Sequence, residues 1–308
     1  MKKILLATTM LAGTAGFASA EVAVSGYAEI GIWSYNYSNA GVNDTAIAFW
    51  QDVEVTFKMS GTTDGGLEFG AAIDLDEGDV ATNDDSGTTV WVSGAFGKLT
   101  MGDTDGALDW ALADMDGGMT SIADDHTTHV AWFGGSWMDG HGDNQVVRYE
   151  NTFGDFGVAL SAEQIGDGTS GGDTVLGLGL KYTANLGGTD VALGLGYQAD
   201  DTDSAVGVSA AATLAGGFGG KIGYIDYKDM AEDSQLGLEV SYTSGPIGVA
   251  VNYGKVDLVG GGDYDSWGAV ANYDLGGGAK VMFGYGSDVD DSLAGNQDQW
   301  SLGLGLSF

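Results

Sequence analysis

The sequence has no cysteine among its 308 residues. A small secreted domain stapled by disulfides is therefore excluded, because such domains are rich in cysteine. Without disulfides in an oxidising compartment, the fold has to satisfy its backbone hydrogen bonds by itself. One proline, 44% hydrophobic residues and 10% aromatic residues indicate an ordered chain with acidic loops and not a disordered one.

Long apolar runs are also lacking, apart from the N-terminus. Lys2 and Lys3 precede the apolar stretch 4–17, which ends at the A-x-A site 18–20. This pattern predicts a secretory signal peptide over residues 1–20, since the stretch is too short for a membrane anchor. Residues 21–308 contain no run of about 18 apolar residues, so we predict that any membrane crossing uses a β-barrel formed by this segment.

Basic residues are scarce, at 10 against 44 acidic ones, which gives a formal net charge of −34. Such a surface repels polyanions. Nucleic acids and anionic lipid surfaces are therefore not expected as partners on the basis of charge.

The strongest positive pattern is an alternation of bulky apolar residues with glycine, serine or charged residues. In the last segment one parity carries Trp300, Leu302, Leu304, Leu306 and Phe308, and the other carries glycine and serine. Because side chains alternate between the faces of a strand, such a segment predicts one apolar and one small or polar face. The second face fits a lumen lining better than a solvent coat, so we predict an all-β, transmembrane antiparallel barrel. We place about sixteen strands at 22–35, 46–60, 67–77, 88–94, 98–103, 146–153, 156–165, 174–185, 189–199, 204–215, 219–228, 234–244, 247–257, 264–274, 279–287 and 297–308.

The connections between these segments alternate in character. One set is tight and rich in glycine: 61–66, 94–97, 154–157, 186–189, 215–220, 245–246 and 276–278. The other is longer and acidic, and includes 76–85, 200–203, 229–233, 257–265 and 288–298. A barrel with short periplasmic turns and long outer loops predicts this alternation. Aromatic residues of the outward parity lie near the two ends of the predicted strands, which predicts the two interfacial girdles of a membrane barrel. They are Tyr182, Tyr242, Tyr273 and Phe308 at the turn end, and Tyr197, Tyr253 and Tyr285 at the loop end.

Three stretches and the final residue resemble a known family. SGTTDGGLEFGA (60–71), SGAFGKLTMGD (93–103), YDLGGGAK (273–280) and the terminal Phe308 are similar to the general-diffusion porins of Gram-negative outer membranes, of the alphaproteobacterial, Rhodobacter type. The two N-terminal stretches are the more specific. The resemblance implies a homotrimer of sixteen-stranded barrels, set in outer-membrane lipid and lipopolysaccharide, with the third loop folded into the pore. It also implies that Phe308 is an assembly signal for the outer-membrane machinery.

The segment from about 104 to 145 is the one long break in the strand rhythm, and a loop of that length is seldom neutral. It is too apolar for a solvated tail, so it should pack against the lumen wall. Leu108, Ala111, Leu112 and Met115 are spaced as one side of a short helix. This fits a constriction loop at the position that the family implies.

The same loop has eight aspartates and no lysine or arginine. Those assigned to the constriction are Asp105, Asp109, Asp114, Asp116, Asp124 and Asp125. The related porins usually oppose such a loop with a basic cluster, but Arg148 is the only arginine here, and acidic residues outnumber lysines on the lumen parity. We therefore predict a cation-selective pore for small hydrophilic solutes and ions, with wall residues Lys58, Lys181, Arg148, Glu150, Glu54 and Glu239.

Other chemistry is weakly supported. All three histidines lie in the long loop, as His126, His129 and His141, with no helical context for a metal site. No G-x-S-x-G elbow appears and the histidines are confined to one loop, so we predict no enzyme activity. No cofactor is expected, although the acidic loops could bind Ca²⁺ weakly. The alternative is a substrate-specific channel, for example for saccharides, that uses the loop aromatics Trp110, Trp132, Phe133 and Trp137.

Overall fold

The structure, a computed structural model, describes residues 21–39, 42–76, 87–115, 121–123, 127, 131, 133, 145–164, 174–287 and 298–308. It has sixteen strands over this part of the chain. They are β1 (Glu21–Asn39), β2 (Val42–Thr62), β3 (Glu68–Asp76), β4 (Thr88–Gly94), β5 (Gly97–Gly102), β6 (Val146–Phe153), β7 (Phe156–Gln164), β8 (Thr174–Leu186), β9 (Thr189–Ala199), β10 (Ser204–Thr213), β11 (Phe218–Lys228), β12 (Glu232–Ser244), β13 (Ile247–Leu258), β14 (Asp263–Gly276), β15 (Ala279–Gly286) and β16 (Gln299–Ser307). One short helix, α1 (Ala107–Ala111), follows β5.

The strands close into a single antiparallel barrel, in which each pairs with its neighbours in sequence and β16 pairs with β1. The seam is in register from Tyr27 opposite Ser307 to Trp33 opposite Ser301. Phe308 completes it, since its N–H donates to the carbonyl of Gly26 at 2.8 Å. Because the closed barrel has no free sheet edge, the backbone N–H and carbonyl groups of each strand bond to those of its neighbours. The predicted barrel of sixteen strands is confirmed.

The barrel is apolar outside and polar or small inside. In β8, Leu176, Leu178 and Leu180 are exposed, whereas the alternating Gly177 and Gly179 are buried. Large apolar side chains are exposed on the outward face around the barrel. A water-soluble sheet does not expose so much apolar surface, so the surroundings of this face are apolar. No helix of the described residues combines the length and apolar character of a membrane-spanning helix.

The turns at one end are tight. Between β8 and β9 only Gly187 and Gly188 intervene, with φ of 65° and 94°. A two-residue turn with both φ values positive matches the right-handed twist of the strands, and glycine adopts that backbone without strain. The sequence therefore places glycine where the turn geometry requires it.

Outward aromatic rings lie near both ends of the strands. At the turn end, Phe156 contacts Tyr182 with ring centroids 5.0 Å apart, and Phe218 contacts Tyr242 at 4.6 Å. At the other end, Trp267 and Tyr285 lie 4.8 Å apart. Rings with an apolar body and a polar tip favour membrane interfaces. The two predicted girdles are therefore present in the strands.

Candidate functional site: the barrel lumen and its loop

The inner wall is defined by cross-strand pairing, because residues directly opposite each other project from the same face. The pairs of Lys58 with Ala23 and of Glu54 with Tyr27 place both charged residues on the inner face of β2. The pair of Lys181 with Gly194 does the same on β8. Arg148 and Glu150 of β6 and Glu239 of β12 share that face as well.

The loop begins at a cluster around Arg148. Its Nη1 donates to the carbonyl oxygen of Asp105 at 2.7 Å and to the Asp105 carboxylate at 3.2 Å. Its Nε donates to the Glu150 carboxylate at 3.1 Å. Arg148 is 8% exposed, while its two carboxylate partners are more open to solvent. The only arginine therefore fixes the start of the loop, and two carboxylates offset its charge.

Past this cluster, α1 lies against the inner wall beside Lys181. Lys181 Nζ sits 4.3 Å from the centroid of the Trp110 ring, in a cation–π contact. α1 ends at Ala111, and Leu112 is extended with ψ of 165°. Nevertheless Leu108, Ala111, Leu112 and Met115 are all buried. The spacing predicted the buried side correctly, although the helix covers less of it than expected.

The loop forms a small apolar core inside the barrel. Leu108, Met115 and Phe133 are at most 1% exposed and pack with Ile225 and Tyr227 of β11. Burying such side chains contributes about 1.5–3 kcal/mol each. Because Phe133 is enclosed against the wall, it cannot present a ring to a solute in the lumen.

Polar wall side chains hold the loop backbone between these apolar contacts. Serine hydroxyls accept from loop N–H groups: Ser161 from Ala107 at 2.8 Å, Ser209 from Ala113 at 3.0 Å and Ser266 from Ala131 at 2.9 Å. The ammonium group of Lys221 donates to the carbonyl of Asp114 at 2.8 Å, and the side-chain amide of Asn252 donates to the carbonyl of Met115. These contacts satisfy loop backbone groups that would otherwise be buried without partners.

The far side of the loop is held by Glu29 of β1. One carboxylate oxygen accepts from the backbone N–H of Ala123 at 2.9 Å and from Trp50 Nε1 at 2.8 Å, and the other accepts from Tyr27 Oη at 3.0 Å. Ala123 has a φ of 50°, a left-handed conformation that is rare outside glycine. Glu29 is 7% exposed, so it positions the loop and is not an open pore charge.

The described contacts of the loop fall on β6 to β16 and on β1, which leaves the inner face of β2–β5 uncovered by that part of the loop. That open wall bears six charged side chains of known placement. Register gives the inner-face set as Asp52, Glu54, Lys58, Glu68, Asp74 and Lys98. Four carboxylates therefore accompany two lysines on the wall opposite the seated loop.

Lys221 was not among the predicted wall residues, although it lies on the inner face of β11. Its Nζ lies 3.0 Å from a carboxylate oxygen of Glu239. The alternation in β11 carried the signal, because Ile222 and Tyr224 project outward and place Lys221 inward. Glu239 is thus paired on the wall and does not act as an isolated charge.

Several predicted positions lie outside the described residues. They are residues 1–20, Asp116, Asp124, Asp125, Trp132, Trp137 and the three histidines. Within the part of the chain that is described, no group of three His, Cys, Asp or Glu residues could hold a metal ion.

A closed barrel with an apolar outer face, aromatic girdles, a polar lumen and an inward-folded loop defines a β-barrel channel of the outer membrane. The family model for Gram-negative porins matches residues 7–293, so the chain belongs to the Gram-negative porin family. The porin of Rhodobacter capsulatus is 29% identical to it, over 94% of this chain and 100% of that protein. The resemblance in sequence is thereby confirmed, as are the outer-membrane location and the absence of enzymatic function.

Solved structures agree. A porin structure refined at 1.8 Å has a TM-score of 0.71 and 27% identity, covering 94% of this chain and 100% of its own. A mutant of the Rh. blastica porin has a TM-score of 0.68 at 18% identity, covering 93% of this chain and 100% of its own, and this second likeness shows the fold alone.

Proposed function

We propose that this porin forms a cation-selective diffusion channel, in which the loop that starts at Asp105 narrows the pore against the inner face of β2–β5. The carrying observation is the neutralisation of Arg148 by Asp105 and Glu150. The one guanidinium of the chain is therefore not available to attract anions. The four carboxylates of the open wall outnumber its two lysines, which supports a negative local potential.

The proposal is tested by reversal potentials of the purified protein in a planar bilayer under a KCl gradient. We expect a potential of the sign that K⁺ permeation gives. The double variant Asp52→Asn, Glu54→Gln should reduce the K⁺ to Cl⁻ permeability ratio, because it removes two negative charges from the open wall.

A matched control is Asp201→Asn, since Asp201 is exposed in the connection between β9 and β10, away from the wall. It should leave the ratio at the parental value. An anion-selective parent, or equal ratios for the double variant and the control, would refute the proposal.

We also propose a homotrimer associated through the outer face of β1–β5. Ten tyrosines and tryptophans project outward from the described parts of β6–β16: Tyr149, Tyr182, Tyr197, Tyr224, Tyr242, Tyr253, Trp267, Tyr273, Tyr285 and Trp300. None projects outward from the described side chains of β1–β5. Gln51 faces outward halfway along β2, where an amide facing hydrocarbon would be costly. These features support protein contact on that face and lipid contact elsewhere.

The mass of the detergent-solubilised protein, measured by analytical ultracentrifugation, should be that of three chains. Val53→Arg on β2 should dissociate the trimer, whereas Leu195→Arg on the outer face of β9 should not, because only the first places its charge in the proposed interface. A monomeric parent, or dissociation by Leu195→Arg alone, contradicts this arrangement.

We further propose that Phe308 is the terminal assembly signal, which its exposure at the end of β16 supports.

A further inference from the structure

Inward glycines meet on neighbouring strands at three places where the loop touches the wall. Gly179, Gly196 and Gly207 face one another across β8, β9 and β10, and we call them the first glycine row. Gly223, Gly237 and Gly254 form the second glycine row across β11, β12 and β13. Gly31 and Gly303 form a glycine pair across the seam of β1 and β16.

Two members of the first glycine row contact α1 directly, and the third, Gly207, meets the side chain of Leu112. A Cβ on Gly179 would fall on the carbonyl oxygen of Ala107, and one on Gly196 would lie 2.8 Å from the Cα of Leu108. Real Cβ atoms do not approach other atoms so closely. The backbone of α1 therefore lies at a depth in the wall that only glycine permits.

The second glycine row and the glycine pair seat other parts of the loop. A Cβ on Gly237 would lie 2.6 Å from Phe133 Cγ and 2.9 Å from Met115 Cγ, and one on Gly254 would fall on the carbonyl group of Ala131. At the seam, a Cβ on Gly31 or Gly303 would meet Ile122 Cδ1 and also the backbone of the facing strand, because β1 and β16 approach each other closely there. The wall is thus indented on eight of the sixteen strands.

Glycine is otherwise a poor choice at these places. It weakens a strand because the free chain loses more entropy and no side chain packs. The six glycines of the two rows are accounted for by the parts of the loop that they admit, and the glycine pair admits both Ile122 and the close approach of the two seam strands.

We propose that these eight glycines are positioning residues that hold the loop flush against the wall and thereby set the width of the pore. The described parts of the loop form a static lining, fixed by the apolar core and by the wall hydrogen bonds between the rows. This inference rests on the proposed function, in which the loop narrows the channel, but it is independent of the sign of the ion selectivity.

The direct test is the single-channel conductance of Gly196→Ala and Gly254→Ala, one from each row. Each methyl group would displace loop backbone towards the pore axis, so the expected result is a loss of conductance relative to the parent. The control is Ala192→Val on the inner face of β9, which enlarges a side chain on the wall of a cavity of about 420 Å³ lined by Thr183, Asp190 and Ala211, outside the rows. It should keep more of the conductance than Gly196→Ala. Parental conductance in both glycine variants would overturn the proposal.

A second measurement does not depend on how the glycine variants fold. Because the chain has no cysteine, Ala107→Cys with Ser161→Cys would supply the only thiols, at positions where the backbone N–H of Ala107 already donates to the Ser161 hydroxyl. A static loop predicts equal conductance and equal voltage response when this pair is oxidised or reduced. A change on oxidation, with the disulfide verified by mass spectrometry, would show that the loop moves and would overturn the proposal. Reversal potentials recorded in parallel report on cation selectivity separately.

Discussion

Arg148 shows at the scale of one residue how a charge can be used for structure. Its guanidinium donates to a carbonyl and two carboxylates at once, from two nitrogen atoms of a rigid planar fork whose geometry a single ammonium nitrogen does not reproduce. Asp105 and Glu150 remain partly open to solvent, so the screened ion pairs contribute modestly to stability. The guanidinium therefore serves mainly to define the beginning of the loop.

Arg148→Met is expected to raise the K⁺ to Cl⁻ permeability ratio, because Asp105 and Glu150 lose their counter-charge. Arg148→Lys serves as the charge-matched control and should keep the ratio near that of the parent, while the open-channel current becomes noisier as the loop loses bonds at its start. Both quantities are measured in one bilayer recording. A shift towards anions in Arg148→Met would contradict this role for Arg148.

Glu29 is expected to stabilise the barrel and the loop together. Glu29→Leu leaves the N–H of Ala123, Trp50 Nε1 and Tyr27 Oη without their shared acceptor, at about 1–3 kcal/mol for each donor that stays buried. The midpoint of urea unfolding in lipid vesicles should fall for Glu29→Leu. Glu29→Gln retains an acceptor oxygen and should unfold nearer to the parent. Equal midpoints for all three proteins would argue against the role of Glu29.

Sequence patterns predict elements better than they predict the contacts between them. The period-two pattern identified all sixteen strands, with most ends within a few residues, because facing lipid on one side and lumen on the other imposes that alternation. The prediction made β1 and β2 too short, because the residues that join them lack the apolar alternation by which strands were recognised. The partners of the loop were not predictable, because Glu29 and Ala123 are 94 residues apart and no local signal links them.

Substitution of Phe133 tests whether its buried ring holds the loop against the wall. Phe133→Ala should remove about 3–5 kcal/mol of packing at a buried phenylalanine. The barrel ladder does not depend on that ring, so the loss should appear as local release of the loop and not as unfolding. Limited proteolysis with chymotrypsin, followed by mass spectrometry, should find faster cleavage within 104–145 than in the parent.

Phe156→Ala is the control, since Phe156 lies on the outer face of β7 against Tyr182. It should leave the cleavage rate of the loop unchanged. Equal rates in Phe133→Ala and the parent would mean that Phe133 does not hold the loop.

For the whole molecule, the charge excess of −34 acts over distances that salt controls. The Debye length is about 30 Å at 0.01 M salt and about 3 Å at 1 M. If the acidic wall and loop act through their summed field, the K⁺ to Cl⁻ permeability ratio should fall as the mean KCl concentration rises over this range at a fixed gradient. A ratio independent of salt would instead indicate selection by direct contact at one narrow point.

The glycine pair at the seam bears on the order of assembly. Ile122 occupies a space that Gly31 and Gly303 create jointly, so this part of the loop has no complete binding place until the first and last strands have met. Contacts between residues so distant in sequence form late, because a long chain segment must be ordered first. In the proposed channel, the part of the loop around Ile122 is therefore seated only after the cylinder has closed.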